Sequence, residues 1–454
     1  MPIQAINPAT GEMLQSYNEL TDKELEQKLQ LAHSTFLKWK ETSFAERKEK
    51  MLKVAELLKA RSSEYGELMT TEMGKPFTQA KAEAEKCAWN AEYFAENSEE
   101  FLAEEIIKTD ASESYVRFDP LGIILLVMPW NYAFWQVIRQ AVPSIMAGNT
   151  IVLKHASNVP GSALAIEKLF RDAGFPEGVF QTLLIGSSKV QQVLEDFNVK
   201  GVSLTGSDYA GSKVGEVAGR NLKKMVLELG GNDPFIILED GEVEIACEVA
   251  TTARLQNNGQ SCIAAKRFIV VESKYDEFLE KYVAFYKKQV IGDPMDPKTT
   301  IGPLVSEKSL EEILDQIDRT VKAGAKVAIG GKRYGDKGSF LEPTILVDVE
   351  PGMPSFVEEV FGPVASVIKA KDEAEAIAYA NDTVFGLGAS LWTNDLERAK
   401  RIIPQINAGC VFVNGMVKSD PRLPFGGINR GGLGREMSQY GIKEFVNIKT
   451  VWIK

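Results

Sequence analysis

Near the start of the chain, apolar residues recur at Leu25, Leu29, Ala32 and Phe36, the three-and-four spacing that gives a helix one apolar face. Thr21 with Glu24, and Ser43 with Glu46, form the S/T-x-x-E pattern in which side chain and backbone cap each other, so two helices start there. Leu20 and Leu25 are spaced to staple the first from either side of its cap. After the Gly74-Lys75-Pro76 break a third helix, rich in Ala and Glu, is expected from about Thr78 to Phe101, which makes the first hundred residues helical.

From Ser112 the rhythm changes. Short apolar runs at 122–127, 150–154, 180–185, 200–204 and 235–238 alternate with amphipathic segments. Strands without polar alternation are covered on both faces, so these runs predict a parallel, doubly wound α/β sheet. A second set at 267–271, 387–392 and 410–413 repeats the pattern and predicts a second α/β domain. The segments 113–120 and 444–453 do alternate, belong to neither sheet, and are expected to serve oligomerisation. The longest uncharged stretch, Leu121 to Ile138, carries Pro129, Asn131 and Gln136 in its interior and reads as a buried strand plus a functional loop, not a membrane span. No internal repeat or low-complexity tract interrupts the chain.

Composition narrows the function. A chain of 454 residues accommodates two or three domains. With 52 basic and 63 acidic residues the net charge is -11, which disfavours nucleic acid or an anionic membrane and favours a small-molecule substrate. The first ten residues have neither a basic nor an apolar signal region, so the cytoplasm is the expected compartment. Four cysteines (Cys87, Cys247, Cys262, Cys410) without a C-x-x-C motif, and two distant histidines (His33, His155), predict neither a disulfide framework nor a metal site.

Four segments carry candidate chemistry, each with an ordinary alternative. Cys262, in NNGQSCIAAKRF, is either a nucleophile with an activated thiolate or a small buried hydrophobe. Glu228, at the end of an apolar strand before Gly230 and Gly231, is either a carboxylate of raised pKa suited to general-base work or half of a salt bridge. Asn131, after Pro129, is either an oxyanion donor or a turn residue. Thr205-Gly206-Ser207 joins a strand to a helix, the geometry in which free amides and the helix dipole bind phosphate; an ordinary turn is the alternative.

Taken together, PWN (129–131), LKHAS (153–157), LTGS (204–207), ELGG (228–231), NNGQSC (257–262), EEVFGPV (358–364) and PFGG (424–427) resemble the NAD(P)-dependent aldehyde dehydrogenase superfamily in order and spacing, over essentially the whole chain. The resemblance implies a cofactor-binding domain (1–107 and 121–229), a catalytic domain (230–430) and a β oligomerisation element (108–120 and 440–454), in a homodimer or homotetramer. It implies that Cys262 is the nucleophile, Glu228 the general base, and Asn131 with the Cys262 amide the oxyanion hole. Trp130, Lys154, Ser157, Thr205, Gly206, Ser207, Gly230, Glu359 and Phe361 match cofactor-binding positions. NAD-preferring members commonly carry Glu where this chain has Ser157, so NADP is expected to be preferred, with NAD possible.

The resemblance further implies an aldehyde substrate, and within it succinate semialdehyde. Arg139 and Ser419 match positions for a distal carboxylate, Trp135 is expected to line the pocket, and a guanidinium suits a carboxylate through two parallel charged hydrogen bonds. Gln256 stands where other semialdehyde members can carry a second arginine, for which Lys418 or Arg422 would substitute. Glu228 argues against CoA-acylating relatives. The competing readings are another short aldehyde, a non-catalytic dinucleotide-binding protein, and a thiol hydrolase, the last lacking a histidine placed for a Cys/His dyad.

Overall fold

The computed structural model describes residues 3–454. It opens with an antiparallel hairpin, β1 (Ile3–Ile6) and β2 (Met13–Tyr17), where only helices are expected. The side chains of β2 are almost all exposed, so no apolar alternation marks it. Four helices follow: α1 (Asp22–Trp39), α2 (Phe44–Ala60), α3 (Ser62–Met73) and α4 (Phe77–Phe101). The Thr21/Glu24 capping box closes in both directions, whereas Ser43 receives the Glu46 amide without a return bond. Strands β3 (Glu105–Ile106) and β4 (Glu113–Pro120) lead into the first large sheet.

That sheet is built from β5 (Ile123–Met128), α5 (Trp135–Met146), β6 (Thr150–His155), α6 (Pro160–Asp172), β7 (Phe180–Thr182), β8 (Val199–Thr205), α7 (Asp208–Arg220) and β9 (Lys224–Glu228). Its parallel order is β9-β8-β5-β6-β7. Successive residues of β5 face opposite sides: Ile123 and Leu125 pack with Leu25, Leu29 and Ala32 of α1, while Ile124 and Leu126 join the core formed with α4 and α5. Both faces are therefore buried, which is why the run carries no polar alternation.

The second sheet begins with β10 (Pro234–Ile237), which the sequence pattern groups with the first set. After α8 (Val243–Leu255) come β11 (Arg267–Val271), β12 (Lys326–Ile329), β13 (Thr344–Val347), β14 (Val364–Ala370), β15 (Gly388–Trp392) and β16 (Cys410–Val413). Their order is β12-β13-β14-β11-β10-β15-β16, with only β12 antiparallel, so β10 is central to this sheet. Strands β12 to β14 are absent from the sequence expectation: β12 is mostly exposed, β13 is only four residues long, and β14 is interrupted by Ser366 and Lys369. The short β17 (Gly432–Leu433) returns to pair antiparallel with β9, and β18 (Val446–Ile453) pairs with β4 in a separate sheet with β3.

Candidate active site

Chain order along the first sheet reverses between β5 and β8, so the connections diverge there and leave a crevice beyond the carboxyl ends of the strands. Pro129-Trp130-Asn131 leaves β5 at that point, Gly206 and Ser207 leave β8, Ala156 and Ser157 leave β6, and Glu228 ends β9. Segments that are distant in sequence thus share one edge of one sheet.

The loop carrying Cys262 is held there by side-chain amides. Asn257 and Asn258 adopt left-handed backbone (φ 53° and 57°), a conformation asparagine tolerates better than most residues. Asn257 Nδ2 donates to the Asn131 carbonyl (2.6 Å) and to that of Gln260 (2.9 Å). Asn258 Nδ2 donates to Gly74 and Pro303 carbonyls (2.9 and 2.8 Å). Asn131 Oδ1 accepts from Gln136 Nε2 (3.0 Å), and its Nδ2 donates one proton to the Gln260 carbonyl (3.1 Å), leaving the other N–H unused. The Cys262 thiol is partly exposed; burial pushes its pKa up to about 12 against the opposing charges of Arg139 and Lys266.

Glu228 is buried, and neither carboxyl oxygen has a hydrogen-bond partner among the described residues. Burial, and then the charge of Glu436, push its pKa well up. Glu436 is itself fully buried; it accepts from Ser203 (3.3 Å) and forms an ion pair with Arg139. Arg139 also lies 3.4 Å from Thr205 Oγ1 and over the Phe425 ring (5.0 Å). Arg139, the candidate carboxylate clamp, lines the cavity beside Cys262; it meets Glu436 through Nε, and its two terminal nitrogens have no carboxylate partner among the described residues.

A cavity of 520 Å³ runs from Cys262 between α4, α5 and α8 to the loop carrying Ser419. Trp135, Arg139, Gln256 and Ser419 line it as expected, and so do Lys75, Glu83 and Lys86, which the sequence reading leaves unassigned. Lys75 and Glu83 form a buried ion pair, and Glu83 Oε1 accepts both the Phe134 and Trp135 amides (2.9 Å each), holding the start of α5. Lys86 Nζ donates to Ser419 Oγ (2.8 Å) and sits 4.1 Å from the centre of the Trp135 ring. For Glu83 and Lys86 the one sequence signal is a polar side chain beside the helix face formed by Ala80, Ala84, Cys87 and Ala91; Lys75 lies in the turn before that helix. Of the candidates to replace the missing arginine, Lys418 is exposed at the lining, and Arg422 turns to Asp420 (2.7 Å).

On the other side of the Cys262 loop, Trp130, Gln260, Glu359 and Phe361 line a second cavity of 490 Å³. Trp130 and Phe361 meet edge to face, their centres 5.9 Å apart. Glu359 accepts from Lys266 Nζ (3.1 Å) and the Gly231 amide (3.2 Å), and a Cβ on Gly230 would fall 2.5 Å from Glu359 Oε2, so a side chain there would displace this carboxylate. Ser207 caps α7 by accepting the Ala210 amide (3.2 Å), and the Gly206 amide binds the Glu228 carbonyl (3.0 Å). Lys154 is half-buried and has no carboxylate within 4 Å among the described residues; burial lowers its pKa, with Glu19 acting in the opposite sense. Ser157 is exposed and makes no hydrogen bond among the described residues; Val159, not Ser157, precedes α6. An unpaired ammonium and a free hydroxyl at one strand end fit a phosphorylated ribose, and no acidic side chain occupies position 157 to repel it.

A thiol and a buried carboxyl at the meeting of two α/β sheets, with a cavity on either side of the loop that carries the thiol, are the architecture of an aldehyde-oxidising dehydrogenase. The chain belongs to the aldehyde dehydrogenase family, whose model matches residues 1–451. It is 49% identical over its full length, and that of the relative, to the probable succinate-semialdehyde dehydrogenase (NADP+) of Synechocystis sp.. It is also 49% identical, with full coverage of both chains, to succinate-semialdehyde dehydrogenase (NADP+) 1 of Mycobacterium tuberculosis. A crystal structure of the Streptococcus pyogenes succinic semialdehyde dehydrogenase in complex with NADP+ superimposes with a TM-score of 0.97 at 40% identity, covering 99% of each chain. Among the described residues no helix is long and apolar enough to cross a membrane.

Proposed function

We propose that the protein oxidises succinate semialdehyde to succinate with NADP as the preferred acceptor. The observation that carries the substrate reading is the cationic 520 Å³ cavity that ends at Cys262. The relatives named above support it. Their names also support the cofactor reading, together with Lys154 and the unencumbered Ser157 hydroxyl. Lys154 and Ser157 would hold the adenosine-side phosphate, the Gly206–Ser207 turn at the start of α7 the pyrophosphate, and Trp130, Glu359 and Phe361 the nicotinamide half. Bound there, the dinucleotide supplies the two-electron acceptor for aldehyde oxidation.

The remaining steps belong to this chain's own residues. The Cys262 thiol gives up its proton to water and, as the thiolate, adds to the aldehyde carbon; the N–H of Asn131 that has no partner among the described residues and the Cys262 amide donate to the alkoxide that forms. Oxidation leaves an acyl thioester on Cys262. Glu228, as its carboxylate, then takes a proton from water, and the hydroxide attacks the thioester to release succinate and the thiol. The four unpaired cysteines suit a reducing cytoplasm. The exposed edge strand β18 supports assembly into a homo-oligomer.

Initial rates with succinate semialdehyde and with butanal, which has the same carbon count and no carboxylate, test the substrate. A kcat/KM ratio of roughly several hundred in favour of the semialdehyde is expected; a ratio near one removes the semialdehyde reading and leaves a dehydrogenase of neutral short aldehydes. Ser157→Glu is expected to reverse the NADP over NAD preference, and an unchanged preference removes Ser157 from the cofactor site.

A further inference from the structure

We propose that Lys266 is the positioning residue of the nucleophile: its buried ammonium holds both peptide planes that flank Cys262 and so aims the Cys262 amide at the alkoxide. The proposal rests on the reading of Cys262 as nucleophile given above and names the residue that sets its geometry.

Lys266 is buried immediately before β11. Its amide donates to the Asp233 carbonyl (3.0 Å) and its carbonyl accepts the Ser366 amide (3.0 Å), so its backbone is fixed between the neighbouring strands β10 and β14. From that base Nζ turns back to the Cys262 loop, where it donates to the Cys262 carbonyl (2.7 Å) and the Ser261 carbonyl (3.0 Å) and pairs with Glu359 (3.1 Å). An ammonium has three protons, and these three acceptors use them all. No peptide bond of the chain is cis, and in a trans peptide the carbonyl and the following N–H point in opposite directions. With the Ser261 carbonyl turned to Lys266 and also accepting the Ala264 amide (3.2 Å), the Cys262 N–H points away from the ammonium. That N–H donates to nothing among the described residues, so it is available to an alkoxide. The Cys262 carbonyl faces the same Nζ, so the planes on both sides of the Cys262 Cα are pinned, and with them the direction of its Cα–Cβ bond.

An apolar side chain at position 266 would take this donor from two carbonyls and leave the Glu359 carboxylate without its cation. It would also change the charge around the thiol. Arg139 and Lys266 favour the thiolate of Cys262, and Glu359 and Glu228 oppose it. Loss of the Lys266 charge therefore slows every reaction of the thiolate, whereas loss of the aim of the Cys262 amide slows only those that form an alkoxide. Two reactions of the same sulfur separate the two effects.

The test compares wild type with Lys266→Met in two rates at one pH. Alkylation of Cys262 by iodoacetamide, located by peptide mass spectrometry, forms no alkoxide. Single-turnover reduction of NADP by succinate semialdehyde, with enzyme in excess, passes through one. In Lys266→Met alkylation is expected to slow about tenfold and NADP reduction by at least about several hundredfold. Reduction that slows no more than alkylation leaves Lys266 a charge effect alone and overturns the positioning role. Alkylation faster than in wild type marks a loosened loop and overturns it as well. Should Lys266→Met fail to fold, Lys266→Arg keeps the charge and displaces the donors. Alkylation is then expected within about threefold of wild type and reduction at least about tenfold slower, and equal effects on both overturn the proposal. Cys262→Ala checks the reading beneath it: an alanine variant that still oxidises the aldehyde removes Cys262 as nucleophile and the proposal with it.

Discussion

In the proposed deacylation Glu228 must be ionised to take a proton from water, yet burial and the neighbouring Glu436 raise its pKa. Deacylation should therefore accelerate as pH rises, because a raised pKa keeps the carboxylate scarce at neutral pH. Replacing Glu228 by Gln preserves shape and removes the base. A stoichiometric burst of reduced cofactor is expected to survive in Glu228→Gln while steady-state turnover falls by roughly a hundredfold or more, and the rising pH limb disappears. Unchanged steady-state turnover removes Glu228 from the mechanism. Cys262, Glu228 and Asn131 each carry an ordinary alternative when read singly, and it is the order and spacing of the segments that hold them, through the family resemblance, that single them out. The pairings Arg139–Glu436 and Lys86–Ser419 are not legible in the sequence, since each joins residues of separate segments that only the folded chain brings into contact.

Among the elements, the strands of the first sheet are legible because both faces are buried, and so their sequences are continuous apolar runs. Strands β2 and β12 escape because their exposed side chains follow no period, and β1 because it is only four residues long. Where β6 ends, His155 ties two strand ends together: Nε2 lies 2.9 Å from the Ala133 carbonyl, and Nδ1 accepts the Ala156 amide (2.9 Å). These contacts require the neutral ring with its proton on Nε2. Burial pushes the pKa down to about 4, and the Lys154 charge acts in the same direction. Between an unfolded value of about 6.5 and this one, the unfolded chain holds the extra proton, so stability is present above pH 6.5 and falls as the solution is acidified. The full loss is on the order of 3 kcal/mol. His155→Leu strands both backbone groups and should cost about 1–3 kcal/mol at pH 7. Because the variant has no proton to gain, its deficit in thermal midpoint should shrink toward pH 4; a deficit constant with pH contradicts this account.

For the molecule as a whole, the alternating segments 113–120 and 444–453 pair with each other through eight residues, from Val446 opposite Pro120 to Ile453 opposite Glu113. The third strand, β3, lies on the far side of β4, so β18 presents an open edge. Along it Ile448, Trp452 and Ile453 are 59%, 49% and 46% exposed, apolar surface that a monomer would leave in water beside unpaired backbone groups. A second copy of the chain meets both demands by extending the sheet or covering its face. The expected solution mass is that of a dimer or tetramer, and Ile448→Glu with Trp452→Glu should shift it toward smaller species, because two introduced charges would face their symmetry mates in an isologous contact. Light scattering during size-exclusion chromatography reads both outcomes: a wild-type mass of one chain excludes assembly, and an unchanged oligomer in the double variant moves the interface away from this sheet.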